Sequence, residues 1–177
     1  MDPLLVRLCD RLYLTCIWVA GFAIFMMSVI IPWGVFTRYV LGTGSQWPEP
    51  IAILFMMVFT FIGAAAAYRA GAHIAVTMVT DRLPGPLKWL DRILVDVLMI
   101  LICAFVAWAG TRLCMETWGQ SIAELTWLPV GVTYAAMPLG AIATLIFVVE
   151  QMVHGSQAGR DIVRYEETAG NNKEGVA

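Results

Sequence analysis

Charge is what this chain has least of. Only 14% of its 177 residues are charged, against roughly 25% in an ordinary soluble domain. Hydrophobic residues make up 60%, and the mean hydropathy is +0.77. No basic run or basic patch interleaved with aromatics is present, and the net charge is −2, which excludes a nucleic-acid partner. Histidine is nearly absent. His73 and His154 are the only two, and both fall at the ends of apolar runs, so paired axial ligands for a membrane-buried haem are missing. The four cysteines, Cys9, Cys16, Cys103 and Cys114, show no CxxC spacing and read as small apolar residues rather than as a zinc or redox motif. Paired catalytic carboxylates, a nucleophile with its base and a phosphate-cradling glycine loop are also lacking. The chain is therefore not expected to be an enzyme, and no cofactor or metal is expected.

What is present is length of apolar sequence. Crossing about 30 Å of hydrocarbon takes about 20 helical residues. Four runs meet that requirement, at about residues 12–40, 51–69, 93–113 and 128–150. The fold class is thus all-α integral membrane, with four transmembrane helices in one unit covering residues 1–154. The first run is uncharged over residues 12–37, too long for the core of a cleavable signal peptide, and reads as a retained span. Ahead of it, Leu4, Leu5, Leu8 and Leu12 share one helical face while Arg7 and Arg11 can snorkel from the other, giving a short N-terminal interfacial lead-in. Residues 42–50 and the Leu83-Pro84-Gly85-Pro86 segment break the chain between spans. Residues 115–127 hold a short helical or re-entrant piece or a loop; periodicity does not choose. Residues 155–177 form a polar tail whose end has the composition of a disordered segment.

Lysine and arginine set the orientation. With four spans, the side carrying both termini and the middle loop holds nine of them and the opposite side only Arg38 and Arg112. This places both termini in the cytoplasm and, in a bacterium, the 42–50 and 115–127 loops in the periplasm. The ionisable residues inside the runs sit at their ends. Arg92 with Asp96, Arg112 with Glu116, and Glu150 with His154 each have i, i+4 spacing and read as interface anchors rather than proton relays. Trp47, Trp89, Trp118 and Trp127 fit an aromatic belt at the membrane surface. Gly63-Ala64-Ala65-Ala66-Ala67 is a run of small residues that lets helices approach closely in lipid, either within this unit or against a second membrane subunit. Arg69 and His73 place cations at the end of the second span. There they can satisfy the helix dipole, bind lipid phosphate or meet a partner. Arg38 closes a long apolar run on the side poor in positive charge, one loop away from Glu49. The candidate interface or anchor residues are therefore Arg38, Trp47, Glu49, Gly63, Arg69 and His73.

The ordered set Phe36-Thr37-Arg38-Tyr39, Ser45-Gln46-Trp47-Pro48-Glu49, Phe61-Ile62-Gly63-Ala64-Ala65, Tyr68-Arg69, His73-Ile74-Ala75-Val76, Leu128-Pro129-Val130, Tyr134 and Met137-Pro138-Leu139-Gly140 resembles the small, DctQ-type membrane subunit of tripartite ATP-independent periplasmic (TRAP) transporters. The likeness runs from about Arg7 to His154. One departure is that Glu49 is followed by Pro50, where the family often has a second acid. The resemblance implies a three-part system of the bacterial inner membrane. A periplasmic solute-binding protein captures an organic acid, and a large membrane subunit moves it, usually with sodium. The small subunit pairs with the large one as a scaffold. Two other readings stand beside it. An independent small transporter would need a buried acid facing an aqueous cavity, for which Asp96 is the sole candidate. A membrane anchor of a redox complex would need the histidines that are missing.

Overall fold

The computed structural model describes residues 3–43, 46–71, 85–123 and 125–154. Its elements are α1 (Pro3–Tyr39), α2 (Pro48–Arg69), α3 (Gly85–Thr117), β1 (Ser121–Ile122), β2 (Leu125–Pro129), α4 (Val130–Tyr134) and α5 (Ala136–His154). Four stretches are long and apolar enough to cross a membrane: Val6–Tyr39, Pro48–Arg69, Ile93–Thr117 and Val130–Val153. The last of these joins α4 and α5 across a single turn residue, Ala135. The polar tail and His73 lie outside the described residues, as do the side chains of Trp89, Arg92 and His154.

The lead-in at the N-terminus is not a separate element. It is continuous with the first span, so α1 is one helix of 37 residues, about 55 Å long at 1.5 Å per residue. It runs on through Pro32. A proline inside a helix removes a backbone hydrogen bond, and membrane helices tolerate this where neighbouring groups satisfy the freed carbonyl. The chain turns back after α1 at Gly42, whose φ of +61° is a backbone conformation open to glycine. Thr43 then ties the turn to α1, its amide N–H and its hydroxyl both donating to the Thr37 carbonyl at 3.3 Å. The segment after the third span is extended rather than helical. It is a short antiparallel hairpin, with Ile122 opposite Leu125, Ser121 opposite Pro129 and an irregular register between them. The Val130 N–H donates to the Gln120 carbonyl at 2.8 Å and fixes where the fourth span begins. Two residues of alternating strand carry too little periodicity to be visible against the flanking helices.

The spans do not close into a bundle. Among the described residues α1 packs on α2, α2 on α5, and α5 on α3, while α1 and α3 make no substantial contact. The result is a layer one helix thick, in the order α1–α2–α5–α3. The fourth span is its centre: 44% of its most apolar window is buried, against 17%, 17% and 11% for the first three. The packed core is small-residue and concentrated toward one end, made of Cys9, Tyr13, Cys16, Ala65, Ala66, Tyr68, Ala143, Phe147 and Val148. The rest of each helix presents leucine, isoleucine, phenylalanine and tryptophan outward, as lipid requires where no water drives burial.

Candidate functional site

Charged side chains gather at the two ends of the layer. At the end where α1 begins and α2 and α5 finish, Arg69 is 4% exposed. Its Nε and Nη2 donate to Glu150 Oε2 and Oε1, both at 2.8 Å, and Nη2 also donates to Asp10 Oδ1 at 2.6 Å. The guanidinium lies between the Tyr13 and Phe147 rings, 5.3 and 5.4 Å from their centroids. One arginine therefore ties three helices together. The fork geometry suits the task, because a planar guanidinium grips a carboxylate through two parallel N–H bonds and stacks on aromatic faces, which an ammonium cannot do. The same cluster shows that the start of α1 and the end of α5 lie on one side, as an even number of spans demands.

Of the roles the sequence left open for Arg69, at a helix end, on lipid phosphate or against a partner, the geometry favours an anchor enclosed by its own chain. Glu150 gives both carboxylate oxygens to Arg69, 81 positions away in sequence, and so is not simply the i, i+4 partner of His154. Sequence reading missed both partners of Arg69: local spacing offered His154 as the mate of Glu150, and nothing in the spacing links Arg69 to Asp10, 59 positions away. The Arg112–Glu116 pair does form, at 3.6 Å on an exposed face, and such pairs stabilise by about 1 kcal/mol at most. Asp96 is buried.

At the opposite end, α1, α2, the hairpin and α4 surround a cleft. Arg38, Gln46, Glu49, Pro50, Ile53, Ile122, Val130, Thr133 and Tyr134 line a cavity of about 370 Å³. A second cavity of about 530 Å³ shares Arg38, Gln46, Glu49 and Ile53 and continues between α1 and α2 as far as Met27 and Met56. Arg38 and Glu49 thus share a cleft, yet no ion pair within 4.0 Å joins them. Thr133, only 7% exposed, has a hydroxyl with no hydrogen-bond partner among the described residues. Trp47 stands beside the cleft, half exposed. Trp118 and Trp127 are exposed at this same end, where the aromatic belt places them.

Small residues do the close packing, at Ala65 and Ala66 of the alanine run and at glycines outside it. A Cβ on Gly63 would stand 3.8 Å from Ala20 Cβ, an ordinary contact, whereas a Cβ on Gly140 would stand 2.6 Å from the Phe61 carbonyl oxygen. Likewise a Cβ on Gly131 would meet the Cys114 carbonyl at 2.7 Å. Two of the segments that carried the family resemblance meet at a helix crossing, Phe61 against Gly140, while Pro48 and Arg69 of two others pack on Gly34 and Glu150.

An open layer of four spans, charged toward its ends and held by a buried arginine cluster among the described residues, defines a polytopic α-helical membrane protein. Residues 26–158 match the family model for the DctQ component of tripartite ATP-independent periplasmic transporters, and the chain belongs to that family. It is a TRAP transporter small permease subunit, a transport component and not an enzyme. It is 24% identical over 128 residues to a protein of Haemophilus influenzae described as a TRAP transporter small permease protein, covering 72% of this chain and 79% of that one. Over a shorter stretch of 58 residues it is 33% identical to the sialic acid TRAP transporter small permease protein SiaQ of Vibrio cholerae, covering 33% of this chain and 34% of that protein.

Proposed function

We propose that this subunit is a scaffold. It pairs, within the bacterial inner membrane, with the large membrane subunit that carries the solute and ion sites, and a periplasmic binding protein delivers an organic acid to the pair. The observation that carries this reading is the open layer. Among the described residues its long apolar faces have no internal partner, and its charged groups sit toward the ends rather than converging at mid-depth. Solute selection needs convergent polar groups in a concave site, and alternating access usually rests on repeats or broken helices near the midplane. The sialic acid named for the Vibrio cholerae relative is consistent with an acidic solute. Arg38, Trp47 and Glu49 at the loop end, and Gly63 on α2, are the residues of this chain assigned to assembly or docking.

Liposomes with a sodium gradient, the binding protein and candidate organic acids test the reading. Accumulation is expected only when the large subunit is reconstituted with this chain. Uptake by this chain as the sole membrane component overturns it. Reversing the charge of Arg38, of Glu49 and of both is expected to lower the yield of the assembled complex; unchanged assembly removes these two residues from the interface.

The nine-to-two distribution of lysine and arginine supports a cytoplasmic location for both termini. A cysteine introduced at Asn171, in a chain cleared of its native cysteines, is expected to stay unlabelled by an impermeant maleimide added to intact cells. It is expected to label once the cells are opened. Labelling from outside reverses the orientation.

A further inference from the structure

We propose that the loop-end cleft binds one zwitterionic aminophospholipid. Its phosphate and amine meet Arg38 and Glu49, and one acyl chain lies along the groove between α1 and α2. The isolated subunit holds the lipid, and the lipid-filled cleft is the surface that Arg38 and Glu49 present for assembly, so the inference rests on the scaffold reading above.

Three observations converge on it. The first is polarity along depth. The two cavities meet at Arg38, Gln46 and Glu49, and from there the larger one is lined by Ile31, Val35, Ala52 and Met56 down to Met27. Polar at one end and apolar at the other, this is the polarity of a membrane lipid. The second is length. From Arg38 to Met27 is eleven residues of α1, about 17 Å of helix, close to half of the roughly 30 Å hydrocarbon core. The groove is therefore one leaflet deep. The third is the state of the polar groups. Arg38 and Glu49 are both exposed and stand in one cleft without pairing with each other. A phosphate accepts from the Arg38 guanidinium, and an ammonium donates to the Glu49 carboxylate. One headgroup carrying both charges matches both groups. A purely anionic headgroup leaves Glu49 unmatched and repelled.

A protein segment suits the cleft less well. At the level of Gly34 the helices are nearly in contact: a Cβ on that glycine would sit 3.0 Å from Pro48 Cβ. A transmembrane helix about 10 Å across cannot enter between them, whereas a hydrocarbon chain can lie along the seam.

Native mass spectrometry of the purified full chain in mild detergent tests the site. The probes are dioleoyl phosphatidylethanolamine and dioleoyl phosphatidylglycerol. A single phosphatidylethanolamine adduct is expected, held about tenfold more tightly than phosphatidylglycerol, the effect of one charge-assisted contact. Glu49→Gln is expected to erase that preference. Arg38→Ala should weaken both adducts. Ile31→Trp, a change on an exposed face, should fill the acyl groove and abolish binding while the circular dichroism spectrum stays unchanged. Equal retention of the two lipids, an adduct indifferent to Ile31→Trp, or no adduct at all overturns the proposal. No adduct, together with loss of the large subunit on charge reversal at Arg38, assigns the cleft to a protein contact instead.

Discussion

Arg69→Met is expected to lower the stability of the detergent-solubilised chain by about 3–5 kcal/mol, the cost of leaving buried charges without their partner. The substitution keeps most of the side-chain volume but strands the carboxylates of Glu150 and Asp10, which the guanidinium holds at 2.8 and 2.6 Å. It also removes the cation between the Tyr13 and Phe147 rings. Arg69→Lys should fall between the two, because a point charge on a flexible stem cannot make both parallel bonds to Glu150 while also reaching Asp10. Glu150→Gln should be less harmful, since the amide still offers one acceptor and Asp10 still balances the arginine. The triple variant carrying Asp10→Asn, Glu150→Gln and Arg69→Met should recover much of the loss, because removing all the charges removes the unpaired state that costs most. Thermal unfolding in a single detergent reads all four. A melting temperature unmoved by Arg69→Met would show that the cluster does not hold the helices.

Gly140→Ala is expected to have the next largest effect. The added Cβ meets backbone, with the Phe61 carbonyl oxygen at 2.6 Å and its carbonyl carbon and Cβ at 2.7 Å. A flexible side chain could turn aside, but helix backbone cannot, so α2 and α5 must separate at the centre of the layer. Overpacking of this kind costs about 1–3 kcal/mol, and Gly140→Leu should prevent accumulation of folded protein. Gly63→Ala is the control. Its Cβ meets Ala20 at an ordinary 3.8 Å, and replacing a helical glycine with alanine is favourable by about 1 kcal/mol. The isolated chain should be unchanged or slightly more stable. If Gly63→Ala lowers the yield of the assembled transporter while the isolated chain is intact, Gly63 faces a partner. Equal stability of the Gly140 and Gly63 variants would contradict the helix crossing.

The contrast between these two glycines shows where reading from sequence stopped. The run Gly63-Ala64-Ala65-Ala66-Ala67 drew attention because small residues permit close approach. Ala65 and Ala66 are indeed buried, but an approach with no room even for a methyl group is that of the Phe61 backbone to a glycine 79 positions later. Similarly, Glu150 had a spaced neighbour in His154, and only the packing of α2 on α5 brought Arg69 to it. The hairpin was out of reach for another reason: its strands have two and five residues, fewer than a period needs to register.

The sequence by itself determined the class of protein, the number of spans and the location of charge at their ends. Those properties are local. A backbone in hydrocarbon must satisfy its own hydrogen bonds, which only an apolar helix of sufficient length does one segment at a time. The tertiary structure alone decided the order of helices in the layer, the partners of Arg69, the crossing at Gly140 and the cleft shared by Arg38 and Glu49. In lipid the face that packs on a neighbour and the face that meets acyl chains are equally apolar. Periodicity therefore carries no mark of which is which, and the choice is made only when distant segments fit together.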